Sequence, residues 1–278
     1  MNDLLQKYKE FLEARQASKN YYNIMRIWLG FLEAKGIKYN EFTQQNITDF
    51  FVEHSKYKET SRNQFIKSGR NFYTSFLQIP KEQNQWYKIK LIKVEYKIPD
   101  YLSEKEIEQG IAYLITYHSR TMQPCKIRAL FHFMFYSAPR KQEVLNLKRT
   151  DFNIEEGWVK LYGKGKKERY SYYPNRVAKE IKEYFDSEVE TKNAFNISLM
   201  EINYYPKLMG KYLGKNVYCH LIRHSSCREM LRKGIPIAVA SKILGHTRVT
   251  TTIRYADEDE AGRRNIYNNK MNTDENPK

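Results

Sequence analysis

Apolar and polar positions along this chain repeat with two periods, and the change from one to the other marks its organisation. The first ninety residues keep the helical period. "NDLLQKYKEFLEARQ" opens the series, and in "KNYYNIMRIWLGFLEAKG" Ile24, Ile27, Trp28, Phe31 and Leu32 return on one face. Ser18 stands at the cap position before them, and Gly36 supplies the stop. "TQQNITDFFVEHS" puts Ile47, Phe50 and Phe51 on one side, and "SRNQFIKSGRNFYTSFLQ" does the same with Phe65, Ile66, Phe72 and Phe76. Four helices around an aromatic core are expected.

The period is then lost. "LIKVEYKIPDY" (91–101) contains Pro99 and has no helical repeat, so an extended linker is expected. Ser103 and Glu106 form a capping-box pattern that opens "EKEIEQGIAYLITYHS". An apolar helix, "KIRALFHFMFYSA", follows, and then "PRKQEVLNLKRTDF", a further helix with Pro139 placed in its first turn. Alternation takes over only in "GWVKLYGKGKKERYSYYP" (157–174), where two short runs flank a Gly/Lys turn and predict a β-hairpin. Later segments read as helical, and "MNTDENPK" reads as a disordered tail. The pattern predicts a mainly α protein with a small β-hairpin: a helical domain over 1–90, a linker over 91–101, a larger domain over 102–270 and a tail over 271–278.

Charge sharpens the picture. Of 278 residues, 48 are Lys or Arg and 32 are Asp or Glu, a surplus of +16 that favours a polyanionic partner. It is concentrated: residues 203–254 hold ten basic residues against one acid, Glu229, before the chain turns to "DEDE" at 257–260. A one-sign stretch argues for a surface facing phosphates. In the first ninety residues, Lys56, Lys58, Arg62, Lys67 and Arg70 read equally as a DNA-facing flank or as solvated charge. No apolar run is long enough to span a bilayer, and three cysteines (Cys125, Cys219, Cys227) fit free thiols in a reducing cytoplasm.

"YCHLIRHSSC" (218–227) gathers two histidines and two cysteines, which raises a metal site. His220 and His224 share a helical face, but Leu221 stands where a zinc protease carries its glutamate. Cys227 continues the same face, and ligands along one straight helix cannot surround a tetrahedral ion. No metal and no cofactor are expected. His220 and Arg223, three apart, instead combine a proton-transfer group with a fork of donors shaped for phosphate oxygens.

Further residues join them in order. "APRKQEVLNLKRTDF" carries Arg140, "GKGKKER" carries Lys164, "HLIRH" carries His220 and Arg223, "LGH" carries His246, and Tyr255 follows nine positions later. Each has an ordinary reading alone. Arg140 can pair with a carboxylate, Lys164 shares its turn with Lys166 and Lys167, His246 can simply end a helix, and Tyr255 is one of 23 tyrosines, with Tyr267 as a second candidate. Together, in order and spacing over roughly 100–260, they resemble the tyrosine recombinases, the group of phage integrases, Xer proteins and Cre. The departure is "SAPR", where the family usually has an apolar residue between a glycine and the first arginine.

The resemblance implies a helical core-binding domain, a catalytic domain and a set of roles. Arg140 and Arg223 would hold the non-bridging oxygens of the scissile phosphate, and Lys164 would protonate the departing 5′ oxygen. His220 would accept or position the Tyr255 proton, and His246 would hydrogen-bond the phosphate. Tyr255 would attack phosphorus and join the 3′ end, and Glu143 would orient its neighbours. Positioning and charge stabilisation supply most of what phosphoryl transfer needs, so two arginines and a lysine can serve where other enzymes use metal ions. The stored phosphotyrosine ester lets rejoining proceed without ATP.

The resemblance also implies a clamp of two domains around double-stranded DNA at a specific recombination site, and a tetramer linked through the segment after Tyr255. The acidic run there reads either as a favourable helix-start cluster or as a contact with a basic neighbour. Xer-like dimer resolution and mobile-element integration remain open alternatives, with a type IB topoisomerase or a non-catalytic DNA-binding regulator as rivals.

Overall fold

Trp28 organises the first of the chain's two compact units, Met1–Lys97 and Ile98–Lys278. The structure, a computed structural model, describes residues 2–94, 100–118, 122–163, 168–188, 193–246 and 249–253, with the side chains of 118, 250 and 251 left aside.

Helices α1 (Asn2–Ala14), α2 (Lys19–Ala34), α3 (Gln44–Glu53) and α4 (Glu59–Asn71) build that unit. Ser18 caps α2 by accepting from the Asn20 amide, and Thr43 and Asn46 form a reciprocal box at α3. Trp28 is fully buried and meets Phe42, Phe50 and Trp86 edge-on, while its indole N–H donates to Tyr73 Oη at 3.1 Å. Gly69 lets the Trp86 ring lie directly on α4, where any β-carbon would overlap it. The last expected helix stops short: α4 gives way at Phe72 to one π-helical turn, Phe72–Phe76.

The stretch after Gln85 is strapped to α4. Asn63 exchanges two hydrogen bonds with Ile92, at 2.7 and 2.8 Å, and Arg70 reaches the carbonyls of Trp86 and Ile89. Arg62 likewise donates to the carbonyls of Phe51 and Ser55. Two of the five cations read as a flank therefore serve the fold, whereas Lys56, Lys58 and Lys67 are exposed. No regular element covers 91–94, and the remainder of the expected linker up to Pro99 lies outside the described residues.

In the second unit α5 (Glu104–His118) opens with the Ser103–Glu106 box. Helix α6 (Pro124–Ser137) is buried on nearly all sides and accordingly central, with Leu130, Phe131, Phe133 and Phe135 in the core. Helix α7 (Lys141–Asn146) is shorter than expected; a 3-10 turn and the strand β1 (Phe152–Asn153) follow it. With β2 (Trp158–Tyr162) and β3 (Glu168–Tyr172) this makes a three-stranded antiparallel sheet in chain order, one strand more than the hairpin read from alternation. Helices α8 (Asn175–Ser187), α9 (Leu199–Leu213), α10 (Cys219–Arg232), α11 (Ile237–Leu244) and α12 (Thr250–Ile253) follow among the described residues. The fold is mainly helical with a small sheet. The expected tail lies outside the described residues.

Candidate active site

Where α6 ends, Ala138 takes a left-handed conformation, φ 48°, and the chain passes through Pro139 to Arg140. Arg140 is extended, with φ −73° and ψ 149°, and caps α7 rather than lying inside it, so Pro139 stands before the helix and not in its first turn. Glu143 explains the shift. Its carboxylate accepts the Arg140 amide at 2.7 Å, the contact an N-cap residue makes, and the Arg140 guanidinium at 2.9 Å.

Glu143 has a second cation. Arg169 on β3 donates to it at 2.7 Å. Strand alternation turns Arg169 to the covered face with Ser171, and its side chain is only 10% exposed. Its Nε and Nη1 are buried without hydrogen-bond partners, and burial, with Arg140 adding repulsion, lowers its pKa to about 10 against the pull of Glu143. Arg169 stands within "GKGKKER", where order and spacing give it no role. The available signal was an arginine on the inward parity of a strand, which requires a buried anion.

Arg223, on α10, is 2% exposed and donates to the carbonyls of Ala138 and Leu244. These are the last turns of α6 and α11, whose negative dipole ends favour a cation. Burial is the main reason its pKa falls to about 9, and the charges of Arg140 and Arg169 add to it. Helix α11 closes on Gly245 at φ 63°, and the carbonyl of Gly245 accepts from Arg140 Nη2 at 2.7 Å. His246 follows, with Nδ1 2.9 Å from Thr252 Oγ1 on α12. Loss of hydration, then Arg223, Arg140, Arg169 and His220, lower the His246 pKa to about 4.

His220 stands in the first turn of α10, one turn before Arg223, and is exposed on one side. Loss of hydration on the other, with Arg223 and Arg140, lowers its pKa. Its ring meets that of His224 at 4.2 Å between centroids. Cys227 instead packs with Ala138 and Leu244, and Cys219 faces the Ile202 carbonyl. Among the described residues no group of three His, Cys, Asp or Glu could hold a metal ion, and no helix is long and apolar enough to cross a membrane.

Arg140, Arg223, His220 and His246 thus come together around the ends of α6 and α11. Lys164 and Tyr255 lie outside the described residues. The basic stretch is less free than its count implied: Lys215 pairs with Glu106 at 2.5 Å, Lys233 with Glu104 at 2.9 Å and Arg232 with Glu229 at 2.7 Å, while Lys207, Lys211 and Lys242 are exposed.

Residues 100–261 match the family model described as the phage integrase family. A tyrosine recombinase of Thermosipho africanus is 25% identical, over 94% of this chain and 98% of that protein. Among solved structures, XerH recombinase bound to its difH substrate before cleavage superposes with a TM-score of 0.68 at 17% identity, covering 95% of this chain and 84% of that one. A transposon integrase in complex with transposon right-end DNA gives 0.70 at 12% identity, covering 97% and 99%.

Proposed function

The chain belongs to the phage integrase family, the tyrosine recombinases, and we propose that it cuts and rejoins double-stranded DNA at a specific site through a 3′-phosphotyrosine intermediate. It is a site-specific recombinase by family. The observation that carries the mechanism is an imbalance of charge: Arg140, Arg169 and Arg223 stand together around one carboxylate, Glu143. Arg169 and Arg223, buried and with lowered pKa values, call for an anion, and a phosphodiester supplies one.

Arg140 and Arg223 hold its two non-bridging oxygens. The Tyr255 oxygen attacks phosphorus as its proton passes to His220, whose lowered pKa keeps the ring free to accept it. The bond from phosphorus to the 5′ oxygen breaks, Lys164 delivers a proton to that oxygen, and His246 hydrogen-bonds the phosphate. Attack by the 5′ hydroxyl reverses the sequence and reseals the strand without ATP. Residues 1–90 add DNA contacts and 102–270 carry the chemistry, in the cytoplasm. Four copies assemble on DNA, each lending its segment beyond Tyr255 to a neighbour. An apolar groove of about 190 Å³ lined by Phe135, Tyr136, Tyr173, Met230, Ile235 and Ile243 supports that docking.

The test uses a duplex recovered by selecting random DNA for binding, nicked so that cleavage is trapped. A denaturation-resistant adduct is expected with the native chain and none with Tyr255→Phe. An equal yield from both would refute the proposal. Relaxation of plasmids lacking the selected site would point to a topoisomerase instead. The relatives include both Xer proteins and a transposon integrase, and excision or dimer resolution is decided by which DNA the chain recovers.

A further inference from the structure

We infer that Thr252 is a positioning residue for strand cleavage: its hydroxyl donates to His246 Nδ1 and so leaves the Nε2–H of that ring to the phosphate. The inference rests on the phosphotyrosine reading of the site and deepens it.

Thr252 is fully buried on the short helix α12, where its amide bonds the Val249 carbonyl at 2.8 Å. Its hydroxyl lies 2.9 Å from His246 Nδ1. A neutral imidazole carries one N–H, and the oxygens of a phosphodiester only accept. For His246 to bond the phosphate, the proton must therefore sit on Nε2, and Nδ1 must face a donor. A carbonyl or carboxylate at this position would enforce the opposite tautomer. A hydroxyl can donate, and the outer partner of an imidazole commonly fixes which nitrogen carries the proton.

The requirement is strict because the ring is neutral. Burial and the three nearby arginines hold its pKa near 4, so the doubly protonated form, which would need no such partner, is suppressed at neutral pH. The same bond ties α12 to the end of α11, three sequence positions before Tyr255.

The experiment compares the full-length native chain, Thr252→Val, which keeps shape and loses the donor, and Thr252→Ser, which keeps the donor. Two-bond proton–nitrogen correlation spectra of histidine-labelled protein without DNA report the tautomer. The nicked duplex reports the cleavage rate, and mobility shifts report affinity. Expected are an Nε2–H ring in the native and Ser proteins and a mixture in the Val protein. Cleavage should fall about tenfold in Val at affinity unchanged within about twofold, with recovery by Ser to within about threefold. An Nδ1–H ring in the native chain, undiminished cleavage by Val, or a Ser protein as slow as Val would each overturn the inference. A native chain that forms no adduct refutes the parent reading and with it the role in cleavage, while the spectra still decide the tautomer.

Discussion

The guanidinium of Arg140 donates to the backbone carbonyl of Gly245 at 2.7 Å, joining the start of α7 to the end of α11. Gly245 occupies the left-handed region at φ 63°, and a β-carbon there would lie 2.5 Å from Arg169 Cδ. Gly245→Ala therefore combines backbone strain with displacement of a buried arginine. A loss of about 1–3 kcal/mol in urea unfolding is expected, with a larger proportional fall in cleavage than in DNA affinity. Unchanged stability would contradict the geometry.

Glu143 is 3% exposed and faces both Arg140 and Arg169. Glu143→Gln removes the acid that the cluster holds among the described residues and can turn an amide N–H against a guanidinium. Breaking a buried pair of this kind costs about 3–5 kcal/mol. Arg169→Met also destabilises the fold, and the double variant should lose less than the two single losses combined, because each single change strands a charge that the double change removes. Strict additivity in chemical denaturation would show that Glu143 and Arg169 are independent.

These residues also show what the sequence makes legible. Ser18 and the Ser103–Glu106 box end where the apolar periodicity says helices should begin, because capping is decided within four residues. Order and spacing single out Arg140 and Arg223, and the structure brings both to the ends of α6 and α11. They leave Arg169 out, because its partner Glu143 lies on another element and only the strand register aims it inward. Strand β1 has two residues, too few for alternation to register. The basic stretch misled in part, since Glu104 and Glu106, far away in sequence, neutralise Lys233 and Lys215.

Two half-buried histidines couple the site to acid stability. His224 and His246 have pKa values lowered to about 4, for His224 by burial, then His220, Arg223 and His246. An unfolded histidine takes up its proton near 6.5. Between those values the unfolded chain binds more protons, so the stabilisation is complete above about pH 6.5 and is lost as pH falls toward 4. His224→Gln should flatten that fall by on the order of 1 kcal/mol, discounted for solvent around the ring. Urea midpoints at pH 7, 6, 5 and 4 check it, and parallel curves for the two proteins would count against it.

Arg223→Lys retains a positive charge and loses the fork. An ammonium on a flexible stem cannot reach the Ala138 and Leu244 carbonyls together and still offer two donors to a phosphate. Trapped cleavage should drop by about a hundredfold or more, comparable to losing a fixed oxyanion donor. Affinity for the same duplex, dominated by many phosphate contacts, should change by about threefold or less. A lysine variant that cleaves at the native rate would remove Arg223 from the chemistry.

In the proposed reaction the charge that grows on the phosphate oxygens is met by guanidiniums fixed through backbone carbonyls and Glu143, and the departing oxygen receives its proton from Lys164. Neither job is left for a divalent cation, and the described residues contain no cluster of His, Cys, Asp and Glu to hold one. Trapped cleavage in excess EDTA should proceed within about twofold of its rate in magnesium, once ionic strength is matched so that screening of DNA binding is equal. Abolition by EDTA with recovery on adding back one metal would mean that phosphate stabilisation comes from an ion, and the assignment to Arg140 and Arg223 would have to be withdrawn.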